Sequence, residues 1–278
     1  MKLEQIYSNK NVIISFEVFP PKANEENLLA ELDILKNYEP AFVSLTCGAG
    51  GKGNKSFELI SKIKKLGLDV MPHFTCISSS FESVEEGIKA IEALGIDKIL
   101  ALRGDIPEDV TLRKNDFNYA NELVKFINKK TDLSVGVAGY PEGHIESSDL
   151  SSDILCLKNK VDAGADAIFT QLFFDNSKFY KFLERANEAK IRVPVVAGIM
   201  PVISKKQIEK MTSLARITVP QKINIALEKY ESDDLIKFGI DYASEQCLNL
   251  IENGQNKLHF YTLNKSKSVS KILDNIRS

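Results

Sequence analysis

Glu17 lies inside the apolar run ISFEVFPPK (14–22), between Phe16 and Val18 and just ahead of two prolines. A carboxylate among apolar neighbours is costly unless it is paired, solvated or used. In a partly apolar mouth near a second acid such as Asp105, its pKa should be raised. It would then hold a proton near neutral pH and donate it as a general acid. The competing reading is a structural carboxylate paired with a base such as Arg103. His73, Arg103, His144 and Lys160 offer positive charge or donors for phosphate oxygens; the alternative for each is ordinary pairing. The three histidines, His73, His144 and His259, show no HxH or HExxH spacing, so no metal is expected. Cys47, Cys76, Cys156 and Cys247 form no CxxC pair. They read as ordinary buried thiols of a reducing compartment, the cytoplasm.

Scattered residues do chemistry only if the fold gathers them. Strand-like runs recur at 12–18, 41–46, 68–75, 97–103, 133–139, 166–172, 193–199 and 257–263. They are short, rich in Val, Ile and Phe, and nearly continuous in hydrophobicity, as parallel strands covered on both faces are. Helical patterns separate them, two ending in Gly67 and Gly95 as C-cap signals. After the seventh strand a longer helical stretch, 203–253, reads as three helices. Eight strands alternating with helices predict an α/β fold, a (β/α)8 TIM barrel over 1–278 as one domain. An open dinucleotide-binding sheet should carry GxGxxG after its first strand; here that strand ends in Phe-Pro-Pro. GAGGKG (48–53) reads as a flexible loop.

In such barrels the site lies at the C-terminal ends of the strands. The apolar runs end there in Glu17, in Thr46, in His73, in Arg103 with Gly104 and Asp105, in Tyr140, Glu142 and His144, and in Thr170 and Gln171. Side chains alternate along a strand, so Ile13, Ser15 and Glu17 share the lumen face while Val12, Ile14, Phe16 and Val18 face the helices. Ile99, Ala101 and Arg103 likewise share a face.

Composition narrows the function classes. The 278 residues carry 36 basic and 38 acidic side chains, a net charge of -2, so nothing electrostatic points to nucleic acid or an anionic membrane. The longest apolar run, near 194–203, is too short to span a bilayer, and the N-terminal residues have no apolar core of a signal peptide.

Read together, SFEVFPPK, FVSLTCGAGG, PHFTCI, ALRGD, AGYPEGH, KVDAGADAIFTQLFFD, VAGIMPV and HFYTLN, in that order across nearly the whole chain, resemble the methylenetetrahydrofolate reductase family in its short, catalytic-domain-only form. The resemblance implies an FAD-containing barrel that reduces methylenetetrahydrofolate to methyltetrahydrofolate, with NADH or NADPH as donor and one flavin serving both half-reactions in turn. It implies a homo-oligomer and no regulatory extension. By motif, Glu17 is the general acid that assists opening of the folate's five-membered ring. Asp105 tunes flavin and folate electrostatically, and Gln171 bonds the pterin. Thr46 and Ala49 contact the flavin region. His73, Arg103, Gly104, Ala120, Tyr140, His144, Ser147, Asp153 and Lys160 hold the FAD. Gln207 lies in the segment that covers folate. Two positions depart from the family pattern: Met211 stands where a stacking Phe is frequent, and Lys265, where Arg is common, would meet the folate's glutamate tail as a point charge. A barrel that binds flavin or folate without turnover, a proline-dehydrogenase-like flavoprotein and a protein electron donor remain alternatives.

Overall fold

The computed structural model describes residues 1–9, 11–47, 54–105 and 116–277. Eight parallel strands close into a barrel in sequence order: β1 (Ile13–Val18), β2 (Val43–Leu45), β3 (Val70–Thr75), β4 (Lys98–Leu102), β5 (Ser134–Gly139), β6 (Ala167–Thr170), β7 (Val195–Ile199) and β8 (Lys257–Tyr261). The ring shuts where β1 pairs with β8, setting Ser15 beside His259 and Glu17 beside Tyr261. Around it lie α2 (Glu25–Lys36), α3 (Asn54–Lys65), α4 (Phe81–Ala93), α5 (Ala120–Lys130), α6 (Leu150–Asp162), α7 (Asn176–Glu188), α8 (Lys205–Leu214), α9 (Gln221–Lys229), α10 (Ser232–Glu252) and α11 (Lys267–Arg277). The stretch after the seventh strand therefore holds the three helices expected of it. A short α1 (Leu3–Tyr7), which the sequence reading did not anticipate, precedes β1.

Local chemistry sets the helix boundaries. Ser80, Asp149, Asp175 and Ser204 accept backbone N–H bonds at the starts of α4, α6, α7 and α8, satisfying donors that have no partner inside the helix. Gly67 and Gly95, at φ of 82° and 67°, follow α3 and α4 as the sequence predicted.

Alternation along β1 holds as read. Ile14, Phe16 and Val18 pack outward with Leu28, Leu32 and Leu35 of α2, while Ser15 is buried in the lumen against His259. On β4 the face shared by Ile99 and Ala101 is the outer one, packed among the helices; Leu100 and Leu102 point into the central cavity. Arg103 therefore does not enter the lumen as Glu17 does, but turns to the rim. The barrel floor is sealed by Leu3, Ile6 and Tyr7 against Phe42, Met71, Leu100 and Phe169. Polar lumen residues above that seal meet rings rather than water: Phe42 and Phe169 lie 6.5 and 5.4 Å from the His259 ring.

One close approach fixes the wall between β6, β7 and β8. The Gly198 N–H donates to Thr170 Oγ1 at 2.9 Å, and Tyr261 Oη donates to the Thr170 carbonyl at 2.9 Å. A Cβ on Gly198 would sit 2.3 Å from that carbonyl oxygen and 2.9 Å from the Tyr261 ring. Because the first obstacle is backbone, the strand itself must move. Gly198→Ala should lower stability by about 2 kcal/mol, within the cost of overpacking a core, read as a fall of about 4–8 °C in a thermal melt; an unchanged melt would contradict this packing.

Candidate active site

Glu17 lies half-buried at the open end of the lumen. His73 Nε2 and His259 Nε2 stand 3.6 and 3.8 Å from its Oε2. The imidazoles belong to a buried polar cluster: Ser15 Oγ to His259 Nδ1 at 2.7 Å, Ser44 Oγ to His73 Nε2 at 3.1 Å, and Ser44 Oγ to His259 Nε2 at 3.4 Å. Thr262 Oγ1 donates to the Glu17 carbonyl at 2.7 Å, tying its backbone to the end of β8. Neither partner foreseen from sequence is the one found. Asp105 is exposed and lines neither cavity described below, and Arg103 is engaged elsewhere. The expected rise in the Glu17 pKa is also reversed. Burial, the largest single influence, pushes it up, but the neighbouring imidazoles of His259 and His73 together hold it below the ordinary carboxylate range. Burial in turn depresses the His73 pKa, with the Glu17 charge opposing.

Glu17 opens on a central cavity of about 370 Å³. Thr46, His73 and Gln171 line it with Glu17, and Met211 from α8 reaches it from above. Gln171 is held by the β5–β6 pairing, its N–H donating to the Gly139 carbonyl at 2.8 Å, and its Oε1 accepts from Leu172 N at 2.9 Å. Several lining residues were not singled out from sequence: Phe19, Phe169, Lys210, Leu214, His259, Tyr261 and Leu263. His259 and Tyr261 were legible in principle, because the alternation that buries Leu258 and Phe260 turns these two inward. Gln207 and Lys265 do not line the cavity. The Gln207 amide is spent on the chain before α8, accepting from Ile203 N at 2.8 Å and donating to the Pro201 carbonyl at 2.9 Å. Lys265 is exposed beyond β8. Ala49 falls outside the described residues.

A second, larger cavity of about 580 Å³ runs along the rim between β5, α5 and α6. Seven residues expected at one ligand, Arg103, Ala120, Tyr140, His144, Ser147, Asp153 and Lys160, all line it, as does Cys156, an exposed thiol where a buried one was expected. Gly104 does not. Its φ of 86°, with Thr75 and Ile77 atoms 3.0 Å from where a Cβ would be, makes it a tight turn just after Arg103 that only glycine adopts without strain. Arg103 forms a two-point ion pair with Glu146, at 2.5 and 2.8 Å, a partner that no sequence pattern announced. Asp153 Oδ1 accepts from His144 N at 2.9 Å and Ser147 Oγ at 3.0 Å, so it builds the turn that carries both. Ala138 and Tyr140 line both cavities. Burial pushes the Tyr140 phenol up to about 12, keeping that shared wall neutral.

Lys160 carries the one half-buried ammonium of the rim cavity. Its Nζ donates to the Ala138 carbonyl at 2.6 Å, and among the described residues no carboxylate forms an ion pair with it. Burial pushes its pKa down to about 8, with Asp153 opposing. An ammonium desolvated without a counter-charge costs stability and attracts an anion.

The chain matches the family model "Methylenetetrahydrofolate reductase" over residues 2–277. It belongs to the methylenetetrahydrofolate reductase family. The 5,10-methylenetetrahydrofolate reductase of Pectobacterium carotovorum is 36% identical over 260 residues, covering 91% of this chain and 86% of that protein. Methylenetetrahydrofolate reductase (NADH) 1 of Arabidopsis thaliana is also 36% identical, over 99% of this chain but 50% of its own length. The chain thus spans about half the length of the plant relatives it matches. Among solved structures, an uncharacterised protein from Clostridium thermocellum that binds two copies of 5-methyl-5,6,7,8-tetrahydrofolic acid has a TM-score of 0.62 at 14% identity, covering 98% of this chain and 96% of that one; the likeness is one of fold. Among the described residues no helix is long and apolar enough to cross a membrane, and no group of three His, Cys, Asp or Glu could hold a metal ion.

The Lys160 geometry has a consequence for stability. With a folded pKa near 8 against an ordinary 10.5, the unfolded chain binds more protons between those values, so stability should rise with pH across that window. Lys160→Met should remove this rise and increase the melting temperature at pH 7 by about 2–4 °C. Melts of ligand-free protein from pH 7 to 10 check this; a variant less stable than the parent at pH 7 would show that the ammonium is well solvated or paired.

Proposed function

We propose that the chain reduces 5,10-methylenetetrahydrofolate to 5-methyltetrahydrofolate with a nicotinamide donor, in two half-reactions through bound FAD. The observation that carries this reading is the pair of cavities that share Ala138 and Tyr140 in their walls, one lined by cations and hydroxyls, the other ending on a half-buried acid. Its donor set fits a dinucleotide flavin. Arg103 and Lys160 supply positive charge for a pyrophosphate, and Ser147 with the free oxygen of Asp153 suits ribose hydroxyls. The shared wall lets one ligand run from the rim towards Glu17. The chemistry such a flavin supplies is two-electron carriage between nicotinamide and folate.

The chain's own residues do the rest. Glu17 holds a proton at its carboxyl and gives it to a ring nitrogen of the folate. The five-membered ring opens, and the resulting iminium carbon accepts the hydride. For this the carboxyl must be protonated at neutral pH. A flat ring seated in the central cavity removes the 20% of the Glu17 side chain still exposed to water, strengthening burial, already the largest influence on it. Thr46 and Gln171 offer donors and acceptors in the plane of such a ring, and Met211 packs on its face. Asp105 acts from the rim as a negative charge favouring the iminium. The names of relatives include both NADH and NADPH.

Anaerobic titration tests the reading. NADH or NADPH should bleach the bound flavin, and methylenetetrahydrofolate should restore its colour. In Glu17→Gln the bleaching should persist at close to the parent rate, while restoration slows by at least about a hundredfold, the usual worth of a general acid. Equal loss of both steps would remove Glu17 from this role; a protein that takes up no flavin would end the proposal.

A further inference from the structure

The loop 140–149 between β5 and α6 works on two sides. Tyr140, His144 and Glu146 face the rim cavity. Glu142 and Ile145 line neither cavity and instead meet the segment that follows α8. Along that segment side chains alternate. Ile217 and Val219 pack into an apolar cluster with Met200, Val202 and Met211, while Arg216 and Thr218 turn to the loop. Thr218 N donates to Glu142 Oε1 at 3.0 Å, and Thr218 Oγ1 donates to Glu142 Oε2. Arg216 Nη2 donates to the Ile145 carbonyl at 3.0 Å. Gly143, at φ 86°, turns the loop at this point, where a Cβ would press to 3.0 Å from Leu150 Cδ2. Both Glu142 oxygens are thus taken up by one residue 76 positions away in sequence, and among the described residues no cation pairs with that carboxylate.

This grip fixes something useful. The N-terminal end of α8 is held by Ser204 and by the Gln207 amide. Its C-terminal end carries Lys210, Met211 and Leu214, the side chains it contributes to the central cavity, and runs directly into the gripped segment. The loop doing the gripping is itself tied to α7, where Arg185 Nη2 donates to the Pro141 carbonyl at 2.8 Å. We propose that Glu142 is a positioning residue for the central cavity: through Thr218 it sets where the C-terminal half of α8 lies over the ligand, without touching that ligand. The ligand's identity rests on the function proposed above. The grip is stronger than an ordinary surface contact because an ionised carboxylate accepts from two donors of one residue.

The test uses the flavin-loaded protein and 5-methyltetrahydrofolate as the probe. Glu142→Ala should weaken folate binding by about tenfold, the worth of a hydrogen bond to a charged group, and raise KM for methylenetetrahydrofolate in step, with kcat within about twofold and flavin retained. Thr218→Val, which keeps the backbone N–H, should lose part of this affinity, and Thr218→Ser should restore it. Because Glu142 acts through the α8 face, its removal should cost much less in a Met211→Ala background, a coupling that general destabilisation would not produce. If Glu142→Ala folds poorly, Thr218→Val carries the same comparison. Parent-like folate affinity in Glu142→Ala and Thr218→Val, losses that add fully with Met211→Ala, or release of flavin alongside the affinity loss would each overturn the proposal. The parent protein is the control for the underlying reading: failure of the parent itself to bind folate would sink that reading and this proposal together.

Discussion

The structure turns on one carboxyl group placed between two imidazoles at the open end of a sealed barrel. Glu17 is half-buried, and the groups that meet it, His73 and His259, are locked by Ser44 and Ser15 from beneath. Below them the lumen is closed by rings and aliphatic side chains, so little water relieves the charge from that side. Burial raises the carboxyl's proton affinity while the two imidazoles beside it lower it. A group balanced between opposing influences of this kind responds strongly to whatever covers it. That is the property a proton donor needs if it is to be ionised in the open site and protonated against a ligand.

The rest of the barrel separates charge from this acid. Arg103 and Lys160 belong to the rim cavity, beyond the neutral wall of Ala138 and Tyr140, which among the described residues leaves Lys210 of α8 as the cation lining the central cavity. The outward phase of β4 turns Arg103 away from Glu17. Had Arg103 turned into the lumen, its permanent charge would have held Glu17 ionised and unable to donate. The same loop that carries Tyr140 and His144 grips the chain beyond α8, so the walls of the two cavities are parts of one connected unit.

Much of this was legible in sequence. Near-continuous apolar runs of six to eight residues alternating with helical patterns are what parallel strands covered on both faces require, and the eight runs became β1 to β8 in order. The lumen phase of Glu17 followed from period two and the need to bury Ile14, Phe16 and Val18. The same rule gave less at β4, because Ile99, Ala101 and Leu100 are all apolar and do not reveal which face is inner. Pairings were the hardest to read. The Glu146 partner of Arg103 and the Thr218 partner of Glu142 sit 43 and 76 residues away, and only the folded chain brings them together. Gln207 was equally illegible: sequence placed it in a segment over the cavity, but only the folded chain shows its amide bonded to the backbone of Ile203 and Pro201.

In the proposed mechanism Glu17 changes protonation when the central cavity is covered. Difference infrared spectroscopy on protein labelled with 13C-glutamate, with Glu17→Gln subtracted to isolate the one group, reports this directly. At pH 7 the flavin-loaded protein with an open cavity should show a carboxylate band for Glu17, replaced by a protonated carboxyl band when 5-methyltetrahydrofolate is bound. A carboxylate band that persists unchanged in the complex would contradict it.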